Sequence, residues 1–168
     1  VSGTSLLYLL AEYTTVQRIL LLEKYTDFAQ VSSHYKSNSQ TLHYGDIETN
    51  YSVEKARSVK QGAEMVAVYA EKHGGDLFKK RPKMVLAVGE KEVRELEARY
   101  ESIKTLFPQL KKLDRDGIKR IEPNVVEGRD PDEPILALYA EDTGYIMNFQ
   151  KLAQLFAREA LQVKGKEL

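Results

Sequence analysis

The sequence predicts an α+β fold in which a helical N-terminal half packs on a small sheet of three to four short strands and a C-terminal helix closes the structure. Apolar residues recur at helical spacing up to about residue 74, whereas the short apolar runs typical of buried strands begin only after residue 83. The length of 168 residues is close to that of one domain. We therefore predict a single domain over 1–168, with a helical part at about 5–74 and a mixed α/β part at about 84–168.

The first helical region is predicted over about residues 5–33. Its apolar face is formed at spacings of three and four by Leu6, Leu9, Tyr13, Val16 and Leu20. Thr14 and Gln17 have the spacing of a capping box, which would start a second helix at that point. One long helix and two shorter helices are both compatible with this pattern.

The second helix is predicted from about Ser52 to His73. Ser52 is a favourable N-cap residue, and Glu54 lies in the first turn, where the helix dipole favours a negative charge. Gly74 and Gly75 follow the last apolar position and can adopt the left-handed conformation that ends many helices.

Two further helices are predicted in the mixed part of the chain. The one at about 90–107 is ended by Pro108, because a proline disfavours helical geometry in the residue before it. The one at about 149–163 follows Asn148, a favourable N-cap. Each carries one apolar face, as expected of a helix that packs on a core.

Strand signals are confined to the second half of the chain. The runs at 84–88 and 135–139 are continuously apolar, which is typical of buried strands. The run at 145–147 can pair with the second of these across a turn that ends at Gly144. Residues 117–121 alternate in polarity and are predicted to form an edge strand.

Composition excludes several classes of protein. The absence of cysteine excludes disulfides and thiolate metal sites. The 25 basic and 25 acidic residues give no net charge, which argues against a dedicated high-affinity nucleic-acid binder. No run of about 20 apolar residues could span a membrane, and no signal-peptide pattern is present. We therefore expect a soluble, cytoplasmic protein without a cofactor or a metal ion.

The basic segment, residues 72–83, is the first candidate site. Lys and Arg at this density attract anions, Gly74-Gly75 lets a backbone approach closely, and an aromatic ring can stack on a base. The candidate anion- or partner-binding residues are Lys72, His73, Phe78, Lys79, Lys80, Arg81 and Lys83. The alternative is a capped helix end whose basic residues complement the helix dipole.

The tyrosine segment, residues 34–51, is the second candidate site. It carries Tyr35, Tyr44 and Tyr51 among small polar residues, a composition that suits contact surfaces. The alternative is that these tyrosines pack the segment onto the rest of the domain. Each of the three histidines, His34, His43 and His73, would act as a general base only with a partner that the sequence does not identify, so surface histidines are the favoured interpretation.

Acidic residues on either side of the predicted strand at 135–139 form the last candidate set. They are Glu127, Asp130, Asp132, Glu133, Glu141 and Asp142. Clustered carboxylates can hold a divalent cation. However, a metal-dependent nuclease carries a lysine two residues after such an acid, and Thr143 stands there after Glu141. An acidic, turn-rich loop is therefore the favoured interpretation.

The functional prediction follows from the lack of a recognisable catalytic motif. No nucleophile lies in a Gly-x-Ser-x-Gly elbow, so enzymatic activity is disfavoured. We predict a non-enzymatic interaction or regulatory module that binds a protein partner or an anionic surface through residues 34–51 and 72–83. The alternatives are a nucleic-acid-associated protein that uses residues 72–83 and a small divalent-metal-dependent enzyme that uses acids around 130–142. A homo-oligomer is also compatible with the sequence.

Overall fold

The computed structural model describes residues 1–168 and confirms the α+β class. Its helices are α1 (Ser2–Tyr13), α2 (Val53–His73), α3 (Gly89–Ile103), α4 (Arg115–Ile121), α5 (Pro123–Val126) and α6 (Phe149–Gln162). Its strands are β1 (Thr41–Leu42), β2 (Phe78–Lys80), β3 (Lys83–Val88), β4 (Lys111–Leu113), β5 (Ile135–Ala140) and β6 (Tyr145–Met147). None of the helices combines the length and the apolar content that crossing a membrane requires.

The strands form two three-stranded sheets rather than the single small sheet that the sequence predicted. One has the order β1-β6-β2. The other has the order β3-β5-β4 and is antiparallel, with Val85 opposite Leu138 and Leu113 opposite Ala137. The additional strands β1 and β2 have two and three residues, which is too short for the alternation that reveals a strand in a sequence.

The chain divides into two compact units. Unit 1 comprises Val1–Thr41, Ala70–Lys79 and Ile146–Leu168, and unit 2 comprises Leu42–Tyr69 and Lys80–Tyr145. Each unit has its own buried side chains.

In unit 2, strand β5 is buried on both faces, which explains its continuous apolar sequence. One face belongs to a core cluster that includes Leu96, Ile103, Phe107, Leu136, Leu138 and Ala140. The other face packs on Ile118 of α4 through Ile135 and Ala137. Successive side chains of a strand point to opposite faces, so β5 joins two clusters across one sheet.

In unit 1, α1 packs against α6. The rings of Tyr8 and Phe156 lie 5.5 Å apart between centroids, and Leu7 and Ala11 are buried on the same side of α1. A hydrogen bond with Tyr13, together with burial, raises the pKa of Tyr8 to about 12. This phenol therefore stays protonated at physiological pH.

The predicted helix over residues 5–33 is wrong beyond Tyr13. Thr14 is extended, with φ −130° and ψ 167°. The β-branched residues that follow α1 favour extended structure over helix. Arg18 forms a parallel β-bridge with Glu167, and the backbone N–H of Ile19 donates to the Glu167 carbonyl at 3.0 Å. The helical spacing of the apolar residues was therefore misleading in this region.

The predicted edge strand at 117–121 is also wrong, because these residues belong to α4. The Asp114 side chain caps this helix by accepting a hydrogen bond from the Gly117 N–H at 2.8 Å. An N-cap aspartate favours a helix over the strand that alternating polarity suggests. The other predicted helices, and the strands at 84–88, 135–139 and 145–147, agree with the structure to within a few residues. The predicted pairing of 145–147 with 135–139 is wrong, because β6 pairs with β1 and β2 in the other sheet.

Candidate functional site

Residues 42–51, which we call the His43 loop, contain Asp46, the one fully buried carboxylate of unit 2. Asp46 has no exposed surface, and the Lys83 side chain is 11% exposed. The Asp46 Oδ1 atom lies 2.6 Å from Lys83 Nζ and also accepts from the Ile47 N–H at 2.9 Å. The Thr143 hydroxyl donates to Asp46 Oδ2 at 2.6 Å. A buried charge is tolerated only with such partners, so these contacts fix the loop.

An aromatic stack lies beside this ion pair. The rings of Tyr44 and Tyr145 are nearly parallel, at an angle of 15°, with their centroids 5.8 Å apart. Lys83 Nζ lies 5.2 Å from the Tyr44 centroid, and Lys80 Nζ lies 5.1 Å from the Tyr145 centroid. Ammonium groups at these distances are attracted to the ring faces. Lys83 therefore holds the loop through a ring as well as through a carboxylate.

The backbone of the His43 loop is pinned at two further points. Gly45 has a φ of +84°, and a Cβ there would lie 2.9 Å from the Ala56 Cα and carbonyl oxygen, so only glycine fits. Arg99 of α3 donates from Nη1 to the Tyr51 carbonyl at 2.6 Å and from Nη2 to the Gly45 carbonyl at 3.3 Å. Burial lowers the pKa of the Arg99 guanidinium, and the nearby Glu48 carboxylate opposes this shift.

The loop presents an oriented imidazole. His43 Nδ1 lies 2.7 Å from Glu48 Oε1, and the two side chains are 55% and 13% exposed. A carboxylate on one ring nitrogen orients the imidazole and leaves the other nitrogen, Nε2, for proton transfer. Glu48 is the partner that the sequence did not identify for His43, because spacing in an irregular segment does not predict a contact.

The predicted basic segment does not form one uniform cationic surface. Lys72 and His73 end α2, and His73 Nε2 lies 4.0 Å from Glu159. Lys79 and Arg81 are exposed, as the prediction of an anion-binding surface requires. Lys83 instead has an internal partner, the buried Asp46 described above. Phe78, Lys79 and Lys80 form the strand β2. Anion or partner binding by this segment stays a prediction.

The three tyrosines of the tyrosine segment have different environments. Tyr35 is exposed and lies against His34, with ring centroids 4.4 Å apart. Tyr44 is buried, and Tyr51 is half-buried with Lys55 Nζ 4.3 Å from its centroid. The burial of Tyr44 and Tyr51 agrees with the alternative in which tyrosines pack the segment, whereas Tyr35 is exposed. Partner binding by Tyr35, Tyr44 and Tyr51 stays a prediction.

Two of the six acidic residues near 127–142 form ion pairs with basic side chains. Glu133 pairs with Arg129 at 2.9 Å, and Glu141 pairs with Lys111 at 2.6 Å. No group of three or more His, Asp or Glu side chains in the structure is arranged to hold a metal ion.

The start of α1 carries a second feature that the sequence interpretation missed. A Cβ on Gly3 would lie 3.3 Å from Leu21 Cδ1, so this helix and the following apolar segment pack closely at a glycine. Twenty positions after Gly3 stands Glu23. The Glu23 carboxylate lies within electrostatic range of the Val1 nitrogen, so the acid lies near the beginning of the helix. The spacing of Gly3 and Glu23 is the signal in the sequence by which this feature could have been found.

Comparison with known proteins identifies relatives. The family model of the FAD dependent oxidoreductases (DAO) matches residues 1–167. A malate:quinone oxidoreductase of Helicobacter pylori is 40% identical over 169 residues, which cover 98% of this chain and 38% of that protein. The chain thus spans about two fifths of the length of this relative.

Two solved structures share the fold at low sequence identity. The dithionite-reduced L-α-glycerophosphate oxidase from Mycoplasma pneumoniae with FAD bound has a TM-score of 0.67 and 19% identity, covering 96% of this chain and 40% of that chain. The L-proline dehydrogenase from P. horikoshii has a TM-score of 0.72 and 20% identity, covering 99% of this chain and 40% of that chain.

These matches correct the functional prediction. A non-enzymatic interaction module with a protein-binding function is wrong, because the family model that matches nearly the whole chain is that of an oxidoreductase. The sequence interpretation failed because it looked for nucleophiles and metal ligands. A redox enzyme that relies on a bound cofactor needs neither.

The described residues fit the cofactor that the family implies. In a dinucleotide-binding unit, the last glycine of the fingerprint allows close helix–strand packing, and an acid about 20 residues later binds a ribose hydroxyl. Gly3 packs closely on Leu21, which lies in an irregular segment, and Glu23 lies near the start of α1, so these are the residues that would hold the cofactor. The helix N-terminus also offers backbone N–H groups to a pyrophosphate. Residues 1–3 contain a single glycine, Gly3.

Proposed function

Because the chain belongs to the family of FAD-dependent oxidoreductases, we propose that it forms part of a Rossmann-like FAD-binding domain in an enzyme that oxidises malate and passes the electrons to a quinone. The observation that carries this proposal is the 40% identity, over 98% of the chain, to the malate:quinone oxidoreductase of Helicobacter pylori. That alignment covers 98% of the chain and therefore includes most of the residues that form the start of α1 and the His43 loop.

We assign cofactor binding in unit 1 to the start of α1 and to Glu23. The first N–H groups of a helix have no partner within the helix and favour a negatively charged group such as a pyrophosphate. Glu23 offers a carboxylate that can accept hydrogen bonds from ribose hydroxyls. FAD, when bound, supplies the acceptor for the two electrons that leave the substrate.

We assign proton transfer in unit 2 to His43. Oxidation of a secondary alcohol to a ketone removes a hydride from carbon and a proton from the hydroxyl group. His43 Nε2 can accept this proton while Nδ1 keeps its hydrogen bond to Glu48 at 2.7 Å. The Glu48 carboxylate then stabilises the positive charge that the imidazole acquires.

Several predictions from the sequence remain proposals. They are a single domain over 1–168, a protein partner, a homo-oligomer, and anion binding by the exposed cations of the basic segment. The relative is more than twice as long as this chain, so each of them concerns a protein of which this chain accounts for a part.

The test is a comparison of two histidine variants in the full-length protein. We expect purified wild type to contain FAD and to reduce a quinone analogue when malate is added. His43→Asn should keep FAD but lower kcat/KM by about 100-fold or more, a typical contribution of general base catalysis. His34→Asn is the matched control, because His34 belongs to the same polar segment and should leave kcat/KM unchanged.

Three outcomes would contradict the proposal. A wild-type protein without FAD, or one that does not oxidise malate, would remove the function itself. Full activity in His43→Asn would leave the function standing but would remove His43 as the proton acceptor.

A further inference from the structure

We propose that Arg99 of α3 is a positioning residue that holds Glu48, and through it His43, in the arrangement needed for proton transfer. This inference rests on the function proposed above for His43. It concerns a residue that acts through the His43 loop and that has no assigned contact with substrate or cofactor.

Arg99 joins the two sides of the turn that carries Glu48. Its guanidinium donates to the carbonyl of Gly45, three residues before Glu48, and to the carbonyl of Tyr51, three residues after it. The forked, planar donor set of a guanidinium suits two such acceptors at once. The residue therefore closes residues 45–51 into a loop with Glu48 at its centre.

The same guanidinium acts on Glu48 electrostatically. Glu48 is the acid whose attraction opposes the burial-induced lowering of the Arg99 pKa, so the two groups lie within interaction range. Glu48 is 13% exposed, and one of its oxygens, Oε1, lies 2.7 Å from His43 Nδ1. A carboxylate oxygen in this position can accept a hydrogen bond from an imidazole N–H.

A purely structural role would not require a charged side chain at this place. Arg99 Nε is buried without a hydrogen-bond partner, and both groups that the guanidinium bonds are neutral carbonyls. Burying a partly unsatisfied cation is unfavourable unless a negative group lies nearby. The Glu48 carboxylate is that group, so the positive charge of Arg99 is stabilised by the acid that also contacts His43.

The Arg99 guanidinium therefore positions the Glu48 carboxylate, and this carboxylate positions the His43 imidazole. Arg99 fixes the backbone on both sides of Glu48, and Glu48 fixes the His43 ring. A displacement of about 1 Å in a reacting group can lower a rate by about 100-fold, so this support affects the rate of reaction more than the binding of substrate.

The test uses Arg99→Lys and Arg99→Gln in the full-length, FAD-containing enzyme. Arg94→Gln is the matched control, since Arg94 lies on the same helix, is exposed and pairs with Glu90 at 3.3 Å. We expect Arg99→Gln to lower kcat by about 10- to 100-fold with little change in KM, and to change the pH profile of kcat. Arg99→Lys keeps the charge but loses the fork, so its activity should fall between wild type and Arg99→Gln.

A second measurement separates this inference from the proposed function. Nuclear magnetic resonance of histidine labelled with ¹⁵N reports the tautomer and hydrogen bond of His43, whose signal is assigned by its absence in His43→Asn. We expect Arg99→Gln to alter this signal and Arg94→Gln to leave it unchanged, whether or not the enzyme oxidises malate.

An unchanged His43 signal in folded Arg99→Gln would overturn the inference. Equal losses of kcat and of FAD content in Arg99→Lys, Arg99→Gln and Arg94→Gln would also overturn it, because they would indicate a general loss of folding. If Arg99→Gln does not fold, the same measurements on Arg99→Lys decide the question, since that variant keeps a charge beside Glu48.

Discussion

Two lysines at the same end of one sheet form ion pairs of equal length in different environments. Lys83 of β3 lies opposite Ala140, and Lys111 of β4 lies opposite Tyr139, so both flank the last residues of β5. Lys83 lies 2.6 Å from Asp46, and Lys111 lies 2.6 Å from Glu141. The first pair is nearly inaccessible to water, whereas both side chains of the second are 56% exposed.

The difference shows that the distance between two charged groups does not by itself determine how much their ion pair contributes to stability. The exposed pair competes with water and salt and restrains little. In the buried pair, the Asp46 carboxylate contacts Lys83, Thr143 and a backbone N–H instead of water. Removal of any of these partners would leave a charge in the core that is not fully compensated. The buried pair belongs to the His43 loop, where the proposed chemistry needs a fixed geometry.

The largest effect is expected from Lys83→Met, which leaves the Asp46 carboxylate buried without its cation. Loss of one partner of a buried pair costs about 3–5 kcal/mol of the free energy of unfolding. Urea denaturation of the full-length protein measures this change. A loss no greater than that of Lys111→Met would show that the two environments do not matter.

A smaller effect is expected from Thr143→Val, which keeps the shape of the side chain but removes the hydroxyl that donates to Asp46. A buried acceptor that loses one of its donors costs about 1–2 kcal/mol of the free energy of unfolding. Thr105→Val is the control, because Thr105 is exposed. The interpretation fails if both valine variants denature at the same urea concentration.

The smallest effect is expected from Lys111→Met. The Glu141 carboxylate raises the pKa of Lys111 through a hydrogen bond and charge attraction, but this pair lies in water. We expect no resolvable change in the urea midpoint at high salt, where exposed charges are screened. A clear loss of stability that persists at high salt would contradict the comparison.

Part of the fold could be predicted because its signals are local. Helices α2, α3 and α6 have regular apolar faces, and β5 has a continuous apolar run. The region after Tyr13 could not be predicted from periodicity, because its apolar residues fit both a helix and an extended segment. The short strands of the second sheet depend on pairing with distant residues, which a single sequence does not reveal.

The site was harder to predict for a related reason. The partner of His43, the residue Glu48, is close in sequence, but their contact depends on the conformation of an irregular loop. Lys83 was grouped with exposed cations because nothing in its neighbourhood indicates that Asp46 is its partner. Gly3 and Glu23 have a spacing that resembles the end of a dinucleotide-binding fingerprint, but one glycine and one acid are too few to identify it in a sequence.

The central claim, that this chain is part of a malate-oxidising flavoenzyme, is tested most directly by adding malate to the full-length protein in the absence of oxygen and of quinone. The account predicts that the visible absorbance of bound FAD is lost on addition of malate and returns on addition of a quinone analogue. A protein that contains FAD and keeps its oxidised absorbance with saturating malate would contradict the claim.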